Sequence, residues 1–406
     1  MPEIHALRGG AAVSESPVLV PPRRAEERPQ AQPRPRPSSS SRDVALDLIR
    51  GLALVILVIN HIHLESPLES ATRAVLSAAE VLVLVSGVVS GMVFGARWRT
   101  RGARATTTAL LLRARKLYVA SVVVVATVGV LTLVPGLTTD VLAFSPRSPE
   151  RDLYGFDGPL DAIVGVLTLH AGPWQFNILG FFIAVLALTP LVLAALARGW
   201  WLGVLATSVA LYLVGRQTGI DVLPSQSERP FGLLVWQILF VPGLMLGWHR
   251  REIGTLFARY RGTLTGIVAA VALVAIYLRL YAKFGFDPLG LLTYDAAAFD
   301  LAHFNKGTLD PLRLVTMTSV VGALYLALRR VEPLAERVLG PALLPLGRNS
   351  FYVFIVHVFL SLAVASVPML AGDGVGPAGN ALLQIVFLAG LWLMARRGVF
   401  FRWIPR

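Results

Sequence analysis

Ten stretches of this 406-residue chain run apolar for close to the length a bilayer demands, and that recurrence constrains the fold more than any motif does. A helix needs about 20 apolar residues to cross a hydrocarbon core. Hydropathy places the stretches at about 45–63, 76–96, 110–133, 176–197, 200–215, 231–248, 264–283, 311–328, 350–370 and 379–395. Composition agrees: 55% of residues are hydrophobic and 15% charged, against roughly 25% charged in a soluble domain. Mean hydropathy is +0.66. The expected fold is an all-α polytopic membrane protein of about ten transmembrane helices. The shorter apolar piece 159–171 is expected to be interfacial or re-entrant.

Charge sets the orientation. If the N-terminus is cytoplasmic, the basic residues concentrate in the segments that then lie inside: the tail, 97–116, 250–261, 329–348 and the C-terminus. This is the positive-inside pattern, so both termini are expected in the cytoplasm of a multi-pass protein of the bacterial inner membrane. Residues 1–44, rich in Pro, Arg and Ser, are expected to be a disordered tail. An integral membrane domain follows over 45–398, and then a short basic C-terminus over 399–406. The net charge of +13 does not suggest a nucleic-acid partner, because the cations sit in short loops between apolar runs. The absence of cysteine excludes disulfides and thiolate chemistry. No Gly-x-Ser-x-Gly elbow, P-loop or metal-ligand spacing occurs.

Polar groups at membrane depth are expensive and usually functional. The first apolar run, "DLIRGLALVILVINHIHLESPLE", opens on Asp47 and Arg50 and closes on Asn60, His61 and His63. Arg50 and His61 are eleven residues apart, close to three turns and roughly 16 Å of rise, so they share a helix face. Each has a plain reading, Arg50 as a snorkelling arginine and His61 as an interfacial histidine. Glu80, inside "SAAEVLVLVSG", makes a functional reading stronger. A carboxylate there needs a cationic or hydrogen-bonding partner, and His61 and His63 are the nearest along the chain. A His–Glu pair is a general-base arrangement. In "LLRARKLY", Arg113, Arg115 and Lys116 already stand within an apolar run. They are either positive-inside anchors or ligands for the phosphates of a cofactor.

Four pieces together carry a family resemblance: Arg50-Gly-Leu-Ala with His61 eleven residues on, Glu80 before "VLVLVSG", "RARKLY", and "LGRNSFYVFIVHVFL". In this order they resemble the membrane acyltransferase-3 superfamily. The acid before the Ser-Gly helix, "RPFGLLVWQILFVPGLMLGW" and "LDPLRLVTMTSV" are similar to the OpgC family, succinyltransferases of osmoregulated periplasmic glucans. The resemblance covers roughly 42–400. It implies a ten-helix enzyme that moves an acyl group from cytoplasmic acyl-CoA, succinyl-CoA or else acetyl-CoA, to a hydroxyl of a periplasmic or cell-envelope glycan. It implies His61 as catalytic base oriented by Glu80, and Arg113, Arg115 and Lys116, supported by Arg50, on the CoA phosphates. Lys116 stands where the family has an arginine, and Val119 where it has a proline. Direct transfer and an acyl-histidine route both fit.

Asp47, Trp174, Gln175, Trp236, Gln237 and His357 are further candidates for the substrate side. The alternatives are aromatic-belt anchoring for the tryptophans and helix-packing hydrogen bonds for His357. A patch before the eighth span, His303, Asn305, Lys306, Asp310 and Arg313, is either a solvated loop or a binding surface for the acceptor or a dicarboxylic acyl group. The rival from another class is a transporter or flippase of a glycan precursor, which also embeds polar residues. A structural scaffold is the third reading.

Overall fold

The computed structural model describes residues 43–62, 64–74, 77–145, 148–220, 222–223, 231–367, 375–402 and 404. The expected disordered tail, apart from its last two residues, and His63 lie outside the described residues. Each of the ten apolar stretches coincides with helix. We number the main helices α1 (Val44–His61), α2 (Ala78–Leu131), α3 (Asn177–Ala197), α4 (Trp201–Thr218) and α5 (Leu233–Trp248). They continue with α6 (Arg261–Phe284), α7 (Pro311–Arg330), α8 (Gly340–Arg348), α9 (Ser350–Ala365) and α10 (Gly376–Arg397). By length and composition six helices among the described residues can cross a membrane, or seven if the bent pair α8–α9 is one span. This all-α, membrane-type architecture leaves the count of ten crossings and the side of each terminus open.

Four features account for the difference between ten stretches and six long helices. α4, at 18 residues, ends on the polar Arg216-Gln217-Thr218 and is not apolar enough over its length to count as a span. The second and third stretches are one helical element, α2, of 54 residues, interrupted at Gly102 (φ 78°, ψ 173°). A straight helix of that length would run about 80 Å. Only glycine adopts this backbone freely, so one residue replaces the expected loop. α5 has 16 residues, fewer than a full span. α8 and α9 meet at 91°. The piece expected to be interfacial forms the short helix Pro159–Thr168, which Leu169 ends in the left-handed region (φ 58°).

α1 is the buried axis. Asp43 caps it, accepting from Leu46 N at 3.2 Å, and nearly every residue from Ala45 to Ile59 is buried or partly so. One of its neighbours, α8, approaches it backbone to backbone. A Cβ on Gly51 would stand 2.3 Å from Leu343 O, and one on Gly347 2.0 Å from Asp47 O, so α8 lies flush on α1. α2 and α5 are clasped in the same way, by Gly87 and Gly91 on one helix and Gly243 and Gly247 on the other. This is the small-residue contact that membrane helices use where lipid gives apolar side chains no incentive to associate. The clasp fixes the start of α2, and hence Glu80, against its neighbours.

Gly247→Ala would place a methyl 2.0 Å from Val88 O, and overpacking of this kind costs about 1–3 kcal/mol. Its melting temperature in detergent is expected to fall by several degrees. Gly266→Ala, which meets nothing within 4 Å, is expected to leave it unchanged or slightly higher, because alanine is the better helix former.

Candidate active site

A cavity of about 470 Å³ opens at one end of the bundle. Its walls are the last turn of α1, the first turns of α2, α3 and α7, the last turns of α6, and α9 at Phe354. Helix ends of alternating direction therefore meet there, as an up-and-down bundle requires. Asp47 and Arg50 belong to the opposite end of α1.

His61 is the last residue of α1 and lines the cavity. Its Nδ1 is 2.9 Å from Nε2 of His357, and its ring meets Trp174 edge-on, centroids 4.9 Å apart. His357, on α9, is fully buried. One ring nitrogen of the pair must donate and the other accept. With the proton on His61 Nδ1, His61 Nε2 keeps its lone pair and is a base, with His357 fixing its tautomer.

Glu80 is 1% exposed and also lines the cavity, but its partner is not the expected histidine. Arg313 Nε donates to Glu80 Oε1 at 2.5 Å and Arg313 Nη1 donates to Phe304 O at 2.7 Å. A guanidinium from the first turn of α7 reaches the buried carboxylate, and a full opposite charge answers it better than a neutral imidazole would. Glu80 Oε2 has no hydrogen-bond partner among the described residues. The partner that orients His61 is therefore His357.

The other candidates separate into three groups. Trp174 and Gln175 line the cavity, and Trp174 Nε1 donates to Val141 O at 2.9 Å. Trp236 and Gln237 do not. Trp236 is fully buried behind Phe231, centroids 4.7 Å apart. Gln237 ties α5 to α4, accepting from Ser208 Oγ and donating to Ser208 O, both at 2.7 Å. The Gln237 amide is thus used up in helix packing, whereas the buried Trp236 Nε1 has no hydrogen-bond partner among the described residues. Asp47 bridges Arg50 at 3.7 Å and Arg348 at 3.8 Å, so this acid joins α1 to α8 and lies outside the cavity. Arg113, Arg115 and Lys116 are exposed on α2. The buried face of that stretch is Leu110, Ala114 and Ser121, at helical spacing, so Arg115 and Lys116 point away from the bundle, Arg113 flanks its buried face, and none of the three lines the cavity.

The patch before α7 folds inward. Buried Asp310 accepts from Arg216 Nη2, Asn305 N and Thr308 Oγ1, each at 2.9 Å. That ties down the loop and places Lys306 and Arg313 on the cavity wall. Lys306 Nζ also lies 5.2 Å from the Phe231 ring centroid. Arg73 and Arg279 complete the cationic lining. Arg73 pairs with Glu69 at 2.5 Å, and Arg279 pairs with Asp300 and packs on Phe304. Burial pushes the Glu69 carboxyl above its ordinary value, against the pull of Arg73. Arg279 and Arg73 were not singled out from sequence. Arg279 carried a usable signal, a charge within an apolar run.

The fold and site define a helical membrane protein with a histidine-bearing polar cavity at one end of its bundle. Residues 42–404 match the model of the OpgC protein family, and the chain belongs to that family. Membership points to an acyltransferase-like function in the membrane. Searches of curated proteins and of solved structures each found no match.

Breaking one side of a buried ion pair costs about 3–5 kcal/mol, whereas an apolar replacement of both sides is often tolerated. Glu80→Leu and Arg313→Met are each expected to lower thermal stability sharply, and the double variant to recover much of the loss. Strictly additive losses in melting temperature would refute the pair.

Proposed function

We propose that the chain is a membrane O-acyltransferase that moves an acyl group, succinyl before acetyl, from cytoplasmic acyl-CoA to a hydroxyl of an extracytoplasmic glycan. The observation that carries this reading is the His61–His357 hydrogen bond in a cavity walled by Trp174, Phe354 and polar side chains. On this reading the chain crosses the inner membrane ten times, with both ends in the cytoplasm and the cavity facing outward. Arg113, Arg115 and Lys116, on the bundle's outer surface, meet the CoA phosphates from the lipid or cytoplasmic side. Arg50, paired with Asp47 within α1, supports the same donor end of the bundle.

The chemistry follows from the tautomer. A sugar hydroxyl stacked on Trp174 gives its proton to His61 Nε2 as its oxygen attacks the thioester carbonyl. Arg313, anchored by Glu80 and Phe304 O, stabilises the oxyanion. Collapse breaks the carbon–sulfur bond, and the leaving thiolate takes the proton from His61. An acyl-histidine route uses the same residue in two steps. Four cations, Arg73, Arg279, Lys306 and Arg313, line the wall, three of them answered by Glu69, Asp300 and Glu80. Such a wall is compatible with an acyl group that carries its own carboxylate, and membership of the OpgC family is the reason for placing succinyl ahead of acetyl.

The test is mass spectrometry of base-labile esters on the envelope glycans of a null strain complemented with wild type or His61→Ala at matched expression. Wild type is expected to restore the ester, whose mass names the acyl group. Loss of a general base costs roughly 10²–10⁴-fold, so His61→Ala is expected to restore none. Full restoration by His61→Ala would overturn the mechanism. An ester pattern unchanged in the null strain would favour a transporter.

A further inference from the structure

His61 occupies the last position of a helix, where the backbone is least secured. The final carbonyls of an α-helix have no partner within it, and terminal turns fray. In α1 one of these carbonyls is answered by the next residue after the helix and two from the far end of the chain. Val58 O accepts from Ile62 N at 3.1 Å, Ile59 O from Gln384 Nε2 at 3.4 Å, and His61 O from Ser361 Oγ at 3.2 Å.

Gln384, on α10, does more than cap one carbonyl. It is fully buried, and its Nε2 also donates to Leu64 O at 2.8 Å while its Oε1 accepts from Ser66 Oγ at 2.6 Å. One turn earlier on α10, Asn380 Nδ2 donates to Glu65 O at 2.9 Å. All of these bonds from Gln384 and Asn380 reach into residues 59–66, on both sides of His61. Neither residue lines the cavity, so neither touches what the cavity holds.

We infer that Gln384, assisted by Asn380, is a positioning residue: it caps the broken end of α1 and pins the following turn, so that His61 meets both His357 and the substrate at a fixed place. The inference rests on the reading of His61 as the catalytic base. A buried amide that bonds to backbone on both sides of one residue holds that residue's Cα in place. An error of about 1 Å in a reacting group can cost 10²-fold in rate.

The test uses full-length protein in nanodiscs, succinyl-CoA as donor and a linear gluco-oligosaccharide as acceptor, with release of the CoA thiol as the assay. Hydrogen–deuterium exchange of peptides covering 59–66 is measured in parallel. Gln384→Leu is expected to speed exchange there and to lower kcat roughly 10- to 100-fold, with KM for both substrates within about twofold, the signature of a group that acts only on the chemical step. Ser66→Ala removes one of the three bonds and is expected to give a smaller shift in the same direction. It serves as the test variant if Gln384→Leu does not fold. Unchanged exchange would overturn the clamp. Faster exchange with unchanged kcat, or a raised KM at constant kcat, would overturn the positioning role. If folded wild type releases no thiol, the acyltransferase reading fails, and the exchange measurement alone decides whether the clamp exists.

Discussion

A carboxylate taken out of water at the end of a membrane helix must be answered by a positive charge, and the answer organises this protein's cavity. Glu80 draws Arg313 across from α7, Arg313 holds the Phe304 carbonyl, and the loop leading into α7 is pulled in behind it. Asp310 secures that loop by accepting from Arg216 and from two groups of its own turn. A segment that reads as a solvated connection thus becomes one wall of the site. The cost of leaving a charge unmatched in low dielectric far exceeds the entropy of ordering a short loop.

The packing that permits this depends on glycine. On the α2–α5 seam and the α1–α8 seam, backbone meets backbone at distances that exclude any side chain. Both seams lie away from the cavity and leave its rim to large side chains and charges. Stability and chemistry are thereby placed at different depths along the same helices.

The helices themselves were legible from hydropathy, because a lipid-spanning segment announces itself by length alone. Their joints were less so. Gly102 reads like any glycine in a basic loop, and only the structure shows it as a one-residue break. Of the candidate residues, His61, Glu80, Trp174 and Gln175 line the cavity and His357 reaches it through His61, while Asp47, Arg50, Arg113, Arg115, Lys116, Trp236 and Gln237 lie elsewhere. The expected His61–Glu80 partnership gave way to His61–His357 and Glu80–Arg313. Partners 296 and 233 positions apart leave no trace in local spacing. Trp236 and Gln237 have the composition of a sugar site, yet their surroundings are helix packing. Family membership, matched over 42–404, agrees with what the four motifs implied.

The bonds between α10 and the turn after His61 join groups 315 to 320 positions apart in the chain. A ribosome delivers the earlier element long before the later one. Until α10 enters the membrane, the end of α1 lacks the amide that secures it, although His357 and Arg313 are already made. Any inserted form that still lacks α10 therefore holds an unfinished centre, and the arrival of that helix is the event that turns a polar cavity into an organised one.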